Sequence, residues 1–201
     1  MTLVAVAKTQ PPESIREAHA AGCQDFGENY VQEAIAKMAA LRDTPLRWHY
    51  IGRLQANKAR DVAAHFDWVH GIDRARLAAA LAKARPAARG PLDVCLQVNI
   101  SGEASKGGVA PDEALALARE VALMRGLRLR GLMGMASYTE EAEEQRAQFR
   151  ILRRTLEEIR AEGVPMDTLS MGMSADLESA IAEGATLVRI GTAIFGERKR
   201  A

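Results

Sequence analysis

Residues 3–10 read LVAVAKTQ, and the fold turns on this stretch. Leu3, Val4, Ala5, Val6 and Ala7 form an unbroken apolar run. A strand with one wet face alternates apolar and polar residues, whereas an unbroken run fits a strand covered on both faces, as in a parallel sheet. The run ends on Lys8. An ammonium at the end of a buried strand costs desolvation unless it has a partner or its pKa falls. Lys8 therefore marks either the solvated mouth of the strand or a functional amine.

Outward from this run the same pattern recurs. With residues 3–7, strand character appears at 24–27, 47–51, 67–70, 92–99, 128–134, 167–170 and 186–190. The segments between carry apolar residues at helical spacing. Val31, Ala34, Ile35 and Met38 share a face, as do Ala56, Ala59, Ala63 and Phe66. Leu77, Ala80, Leu81 and Ala84 repeat the pattern, then Ala114, Leu115, Ala118 and Val121. The longest helix presents Phe149, Leu152, Leu156 and Ile159 opposite a polar face. Pro12 and Pro111 suit first helical turns, Asp73, Thr139 and Ser174 are candidate N-caps, and Gly22, Gly163 and Gly184 fall at helix ends. Strands alternating with helices imply parallel pairing and right-handed crossovers. Eight such units, without a Rossmann fingerprint, point to a single (β/α)8 TIM-type barrel over residues 1–201; a doubly wound open sheet is the alternative. Chemistry in such barrels sits at the C-terminal ends of the strands. Lys8, at the last position of strand 1, should then point to the mouth.

Composition narrows the function. The 201 residues carry 27 basic and 26 acidic side chains, a net charge of +1. That balance lacks the clustered basic excess of a nucleic-acid surface, and the basic GERKR at 196–200 reads as a solvated tail. No run has the length of a membrane span, and Met1 leads into the first strand without a signal-peptide pattern. Cys23 and Cys95 lack metal-ligand spacing and read as reduced core residues of a cytoplasmic protein. His19, His49, His65 and His70 show no ligand spacing either, so no metal is expected.

The loops after strands 7 and 8 read SMGMSADLE (170–178) and RIGTAIFGE (189–197). Barrels frequently bind phosphate there, through backbone amides and a helix N-terminus. Ser174 and Thr192 offer hydroxyls and Gly191 allows close approach, while Asp176 would repel a phosphate and should face away. Arg189 sits inside the last strand run and needs an acceptor or a plane to stack on. A lysine, a phosphate cradle and an inward-facing arginine around one mouth suit pyridoxal 5′-phosphate.

The strings VAVAKT, FGENYVQE, WHYIGRLQANK, LQVNISGEASKGG, GLRLRGLM, LSMGMSADLESAI and VRIGTAIFGER span nearly the whole chain in order. On them the chain resembles the pyridoxal-phosphate homeostasis proteins, the proline-synthase co-transcribed family, which share the barrel of the alanine racemase N-terminal domain. The resemblance implies that Lys8 forms a lysine aldimine with the cofactor and that Ser174, Gly191 and Thr192 hold its phosphate. It further implies that Arg189 faces the ring nitrogen and that Asn29 and Met171 line the cofactor. Three features depart from the family. The usual helix before the first strand is absent, which would leave the barrel floor uncovered near strand 1. Gln10 stands where a second lysine is common, and MGMASYTEE (133–141) lacks the prolines usual after strand 6.

Other candidates read more simply. GEASKGG (102–108) lacks the order of a phosphate-binding P-loop and reads as a flexible loop, though its Lys106 could reach the mouth. Trp48 reads as core, His49 as a satisfied strand residue, and Lys58 and Arg60 as solvated helix positions. Two functions compete. The first is a carrier that sequesters the cofactor in vitamin B6 homeostasis and delivers it to apo pyridoxal-phosphate-dependent enzymes. The second is an amino-acid racemase, which needs a proton donor or acceptor on each face of the substrate carbon. In the alanine racemases the opposing tyrosine comes from a second domain of the partner subunit, and this chain ends just after strand 8. Its tyrosines, Tyr30, Tyr50 and Tyr138, have no obvious place on the opposite face. The arginine does not separate the two, because the racemases share it. The carrier, a monomer with no catalytic residues and no membrane or nucleic-acid partner, is the favoured reading.

Overall fold

The computed structural model describes residues 1–103 and 106–196. Ala104 and Ser105 of the glycine-rich loop, and the GERKR stretch beyond Gly196, lie outside the described residues. Eight strands are present: β1 (Thr2–Val6), β2 (Asp25–Glu28), β3 (Arg47–Tyr50), β4 (Trp68–Ile72), β5 (Leu92–Gln97), β6 (Leu127–Met133), β7 (Thr168–Ser170) and β8 (Leu187–Ile190). They pair in chain order, all parallel, and β8 closes on β1, with Val4 beside Arg189. Closure excludes the open doubly wound sheet. The strands begin and end within two residues of the sequence expectation. The fifth stops at Gln97 instead of Asn99, with Val98 making a lone bridge to Val109.

The helices are α1 (Pro12–Ala20), α2 (Val31–Ala40), α3 (Ala59–His65), α4 (Ala75–Ala84), α5 (Ala114–Ala122), α6 (Ala142–Ala161), α7 (Leu177–Ala182) and α8 (Thr192–Phe195). Their apolar stripes pack on the outer face of the barrel. Val31 and Ala34, Leu77 and Leu81, Ala118 and Val121, and the α6 residues Phe149, Leu152, Leu156 and Ile159 are all buried. Ala56 departs from its stripe: it lies exposed in a short 3-10 turn ahead of α3, and the face starts at Ala59. Leu3 is also a correction. It is 42% exposed on the outward side of β1, while Val4, Ala5 and Ala7 are fully buried.

Glycine ends three helices as read. Gly22, Gly163 and Gly184 take φ of 106°, 85° and 89°, and the next amide donates back into the last turn in each case. These bonds run from Cys23 to Ala18 (3.0 Å), Val164 to Ile159 (3.3 Å) and Ala185 to Ala180 (3.0 Å). Left-handed backbone at the residue after a helix is what makes this return bond reachable, and glycine adopts it without a Cβ penalty. The N-caps differ from expectation. Arg74, Glu141 and Asp176 hold the positions assigned to Asp73, Thr139 and Ser174. Asp73 is taken by the Arg74 guanidinium at 2.5 Å, and the Thr139 hydroxyl accepts from the Glu141 amide just outside the helix. Among the described residues no helix is long and apolar enough to cross a membrane.

A candidate ligand site at the barrel mouth

Lys8 does not end the first strand. β1 stops at Val6, and Lys8 sits two residues on, in a turn closed by the Gln10 amide donating to the Ala7 carbonyl at 3.0 Å. Thr9 takes φ of +66°, a left-handed conformation that costs a residue with a branched Cβ. The turn is held from beneath. The Lys37 ammonium on α2 donates to the Ala7 carbonyl (2.7 Å), to Glu28 (2.7 Å) and to Glu33 (2.5 Å), and Glu33 accepts the Thr9 amide (2.6 Å). One ammonium and two carboxylates thus fix the backbone on either side of Lys8. Glu28 is fully buried and its Oε2 has no hydrogen-bond partner among the described residues. Burial pushes its carboxyl up to about 7, against the pull of Lys37 and Lys8.

Above this turn the mouth encloses a cavity of about 300 Å³. Lys8, Asn29, Ser174, Arg189, Gly191 and Thr192, drawn from the ends of four strands (β1, β2, β7 and β8), all line it. Val6, Ile51, Met135 and Phe195 supply apolar wall, and Gln10 lies at its edge. Ser174 and Thr192 are exposed, and Gly191 caps α8, its carbonyl accepting the Ile194 and Phe195 amides at 2.9 Å and leaving those of Thr192 and Ala193 at the open end of the helix. Asp176 is turned inward, its Oδ1 accepting the Met173 amide at 2.5 Å, and it does not line the cavity. Arg189 is 5% exposed; it donates to Ser170 Oγ at 2.6 Å and to the Gly134 carbonyl at 3.0 Å. Burial lowers its guanidinium to about 10, so it stays charged at neutral pH, supported by Asp176. Met171 is fully buried behind the cavity, and Met173 lines the wall in its stead.

The residues present fit pyridoxal 5′-phosphate. Asn29 lines the cavity, and its buried Oδ1 has no hydrogen-bond partner among the described residues, an acceptor that a ligand hydroxyl would satisfy. Lys106 does not line the cavity; it donates to the Ala136 carbonyl at 2.9 Å and pairs with Glu103 at 3.0 Å. Lys58 borders a separate cleft with Tyr30 and Tyr50. Among the described residues no His, Cys, Asp or Glu cluster could hold a metal.

His49 is a satisfied strand residue, as its sequence position suggests, but sequence alone does not assemble two polar groups. One is the Glu28–Lys37–Glu33 clamp, and the other is a set of polar side chains inside the barrel, Asp25, His49, His70 and Ser170, all buried. Their sequence signal is local: Asp25 and Glu28 flank Phe26 and Gly27 in β2, and His70 lies between Val69 and Gly71 in β4.

The family model of the alanine racemase N-terminal domain matches residues 1–199. The pyridoxal phosphate homeostasis protein of Pseudomonas aeruginosa is 57% identical over 196 residues, covering 98% of this chain and 84% of that protein. PipY of Synechococcus elongatus, in its structure with PLP bound, superposes with a TM-score of 0.89 at 40% identity, covering 98% of this chain and 92% of that one. Alanine racemase of Clostridium difficile shares the fold alone, with a TM-score of 0.81 at 13% identity, covering the whole of this chain and 53% of that one. Identity of 57% over 98% of the chain, together with the family match over residues 1–199, makes this chain a member of the pyridoxal phosphate homeostasis protein family, on the barrel of the alanine racemase N-terminal domain.

Proposed function

We propose that this protein binds pyridoxal 5′-phosphate at the barrel mouth, holds it reversibly on Lys8, and passes it to apo-enzymes in the cytoplasm without turning over a substrate. One observation carries the reading: an amine, a buried cation, two hydroxyls and an orphaned amide oxygen converge on one cavity of about 300 Å³. Neutral Lys8 adds to the ligand aldehyde, water leaves and a C=N bond forms; water or another amine reverses the step. Ser174, Thr192 and the amides at Gly191 and α8 receive the phosphate, and Asp176 is directed away from it. Arg189 meets the ring nitrogen.

The absence of turnover rests on chemistry at the opposite face. Racemisation needs a second acid or base across the ligand plane from the lysine. Tyr30 and Tyr138 are exposed, Tyr50 is buried with its hydroxyl donating to the Arg53 carbonyl at 3.3 Å, and none of the three lines the Lys8 cavity. The names of the relatives agree with a homeostatic role. Borohydride reduction of the loaded protein, then peptide mapping, is expected to place the label on residues 1–16; a label mainly on Lys106 or Lys58 would sink the assignment. Mixing loaded protein with an apo-transaminase should restore transaminase activity, whereas sustained racemisation of an amino acid, abolished by Lys8→Ala, would establish an enzyme instead.

A further inference from the structure

Asp25 on β2, His49 on β3, His70 on β4, Ser170 on β7 and Arg189 on β8 form one continuous hydrogen-bonded chain through the barrel. The links are Arg189 Nη1 to Ser170 Oγ (2.6 Å), Ser170 Oγ to His70 Nδ1 (2.8 Å), His70 Nε2 to His49 Nδ1 (3.0 Å) and His49 Nε2 to Asp25 Oδ1 (2.9 Å). β4 and β7 do not pair, so the link from His70 to Ser170 crosses the interior. No member is more than 5% exposed. Neither histidine is used by the ligand site, and neither lines the mouth cavity.

Chemistry fixes the direction of every link. A guanidinium can only donate, so Ser170 Oγ accepts from Arg189. The single hydroxyl hydrogen of Ser170 then goes to His70 Nδ1. A neutral imidazole that accepts at Nδ1 carries its hydrogen on Nε2, which points at His49 Nδ1. His49 likewise donates from Nε2, to a carboxylate that can only accept. Turning either ring would set two donors or two lone pairs against each other in a buried space. Burial keeps both rings neutral, reinforced at His70 by His49 and Arg189; at His49, Arg47 adds to burial while Asp25 and Asp67 oppose it. A stack of His49 on Trp68 at 5.4 Å, with Arg130 over the indole at 4.9 Å, holds the lower ring in place.

We propose that Ser170 and His70 are positioning residues which, through this one-way chain, aim Arg189 at an unprotonated ring nitrogen and so make the site selective for a heteroaromatic aldehyde bearing one. Ser170 engages Nη1 and the Gly134 carbonyl engages Nη2, so the guanidinium plane is set before ligand arrives. Its remaining N–H groups meet a lone pair at the ring. A protonated ring nitrogen would meet them donor to donor. The proposal rests on the reading that pyridoxal 5′-phosphate occupies the mouth.

The test compares equilibrium binding of pyridoxal 5′-phosphate with that of its 1-deaza analogue, in which C–H replaces the ring nitrogen. Wild-type protein should prefer the natural ligand by about tenfold, the worth of one good hydrogen bond. Ser170→Ala and His70→Leu should cut that preference to about threefold or less. His70→Asn, whose amide oxygen can still accept the Ser170 hydroxyl, should retain most of it. Should His70→Leu not fold, Ser170→Ala decides, since it deletes one buried oxygen and little volume. Equal weakening of both ligands, with the preference intact, would overturn the positioning role and leave only packing. No preference in the wild type would overturn it together with the placement of Arg189, whereas a reduced label away from Lys8 would be the failure of the wider reading.

Discussion

Replacing Glu28 by Gln tests whether the carboxyl beneath the Lys8 turn holds a proton near neutrality. Glu28 is fully buried, and Lys37 must serve both it and Glu33 with a single positive charge. Burial raises the carboxyl to about 7 from an ordinary 4.5. The folded protein therefore binds this proton more tightly than the unfolded chain does. The stabilisation is complete below about 4.5 and is lost as pH rises through 7. At 1.36 kcal/mol per pH unit the gap amounts to roughly 3 kcal/mol, of which roughly 2 kcal/mol falls between pH 5 and pH 7.5. His49 and His70 act in the opposite sense. Their pKa values are depressed by burial, so they cost stability as pH falls below the ordinary imidazole range. They are common to both proteins, and the difference between wild type and Glu28→Gln isolates the carboxyl. Urea denaturation at the two pH values should show the variant gaining about 2 kcal/mol on the wild type between pH 5 and pH 7.5. An unpartnered amide in the variant shifts both values equally and leaves the slope intact. A pH-independent difference would refute the reasoning, because it would mean that Glu28 is ionised, or protonated, throughout.

Lys37→Met should destabilise the fold by about 3–5 kcal/mol, since it leaves Glu28 and Glu33 facing one another without their cation; a urea-derived loss below about 1 kcal/mol would show that the clamp is dispensable. Ser174→Ala with Thr192→Ala should weaken pyridoxal 5′-phosphate by about 1.5–3 kcal/mol per lost bond and leave unphosphorylated pyridoxal nearly unchanged; equal losses for both ligands in a titration would remove the phosphate from these loops. Gly52→Ala should impair ligand binding more than stability, because a Cβ there collides with the Asn29 carbonyl oxygen and displaces a residue of the cavity wall; binding at wild-type strength would count against Asn29. The Cys95 thiol, pushed up by complete burial, should resist iodoacetamide in the native protein and react on unfolding, as peptide mass mapping would show.

The barrel was legible where strands covered on both faces carry unbroken apolar runs, as in β1 and the middle of β5. Val94, Cys95 and Leu96 are all fully buried, as an unbroken run requires. Helix ends at Gly22, Gly163 and Gly184 were legible for a local reason, since left-handed backbone after a helix selects glycine. N-caps were not, because several polar residues near each helix start can fill the role and tertiary partners choose among them. Asp73 was claimed by Arg74, and Asp176 displaced Ser174, freeing Ser174 to line the mouth. Nor does periodicity say what the polar face of α6 bonds: its Arg146, Arg150 and Arg153 all converge on Glu183, which is 2% exposed at the end of α7.

In the mouth, sequence order told which residues lie at strand ends, and fold topology brought those ends together. Lys8, Asn29, Ser174, Arg189, Gly191 and Thr192 share a cavity for that reason. The supports beneath them were invisible to periodicity, which records whether a position is buried and not what it bonds. A polar side chain within a buried strand is itself a signal. Inside a closed barrel there is no water to satisfy it, so it must find a complementary group across the interior or under a covering helix. His49 and His70 occupy neighbouring strands, Asp25 opens β2 and Ser170 ends β7, and all four are buried. The number of such groups also constrains their arrangement, since a guanidinium at one end and a carboxylate at the other leave only one consistent direction for the hydrogens between them. Glu28 and Lys37 obey the same rule outside the barrel, where an acid on the covered face of β2 is matched by the lysine of the helix laid over it. A ligand arriving at the mouth would therefore meet two side chains placed before any contact is made: Lys8, whose flanking backbone is held by Lys37 and Glu33, and Arg189, whose guanidinium is held by Ser170 and the Gly134 carbonyl.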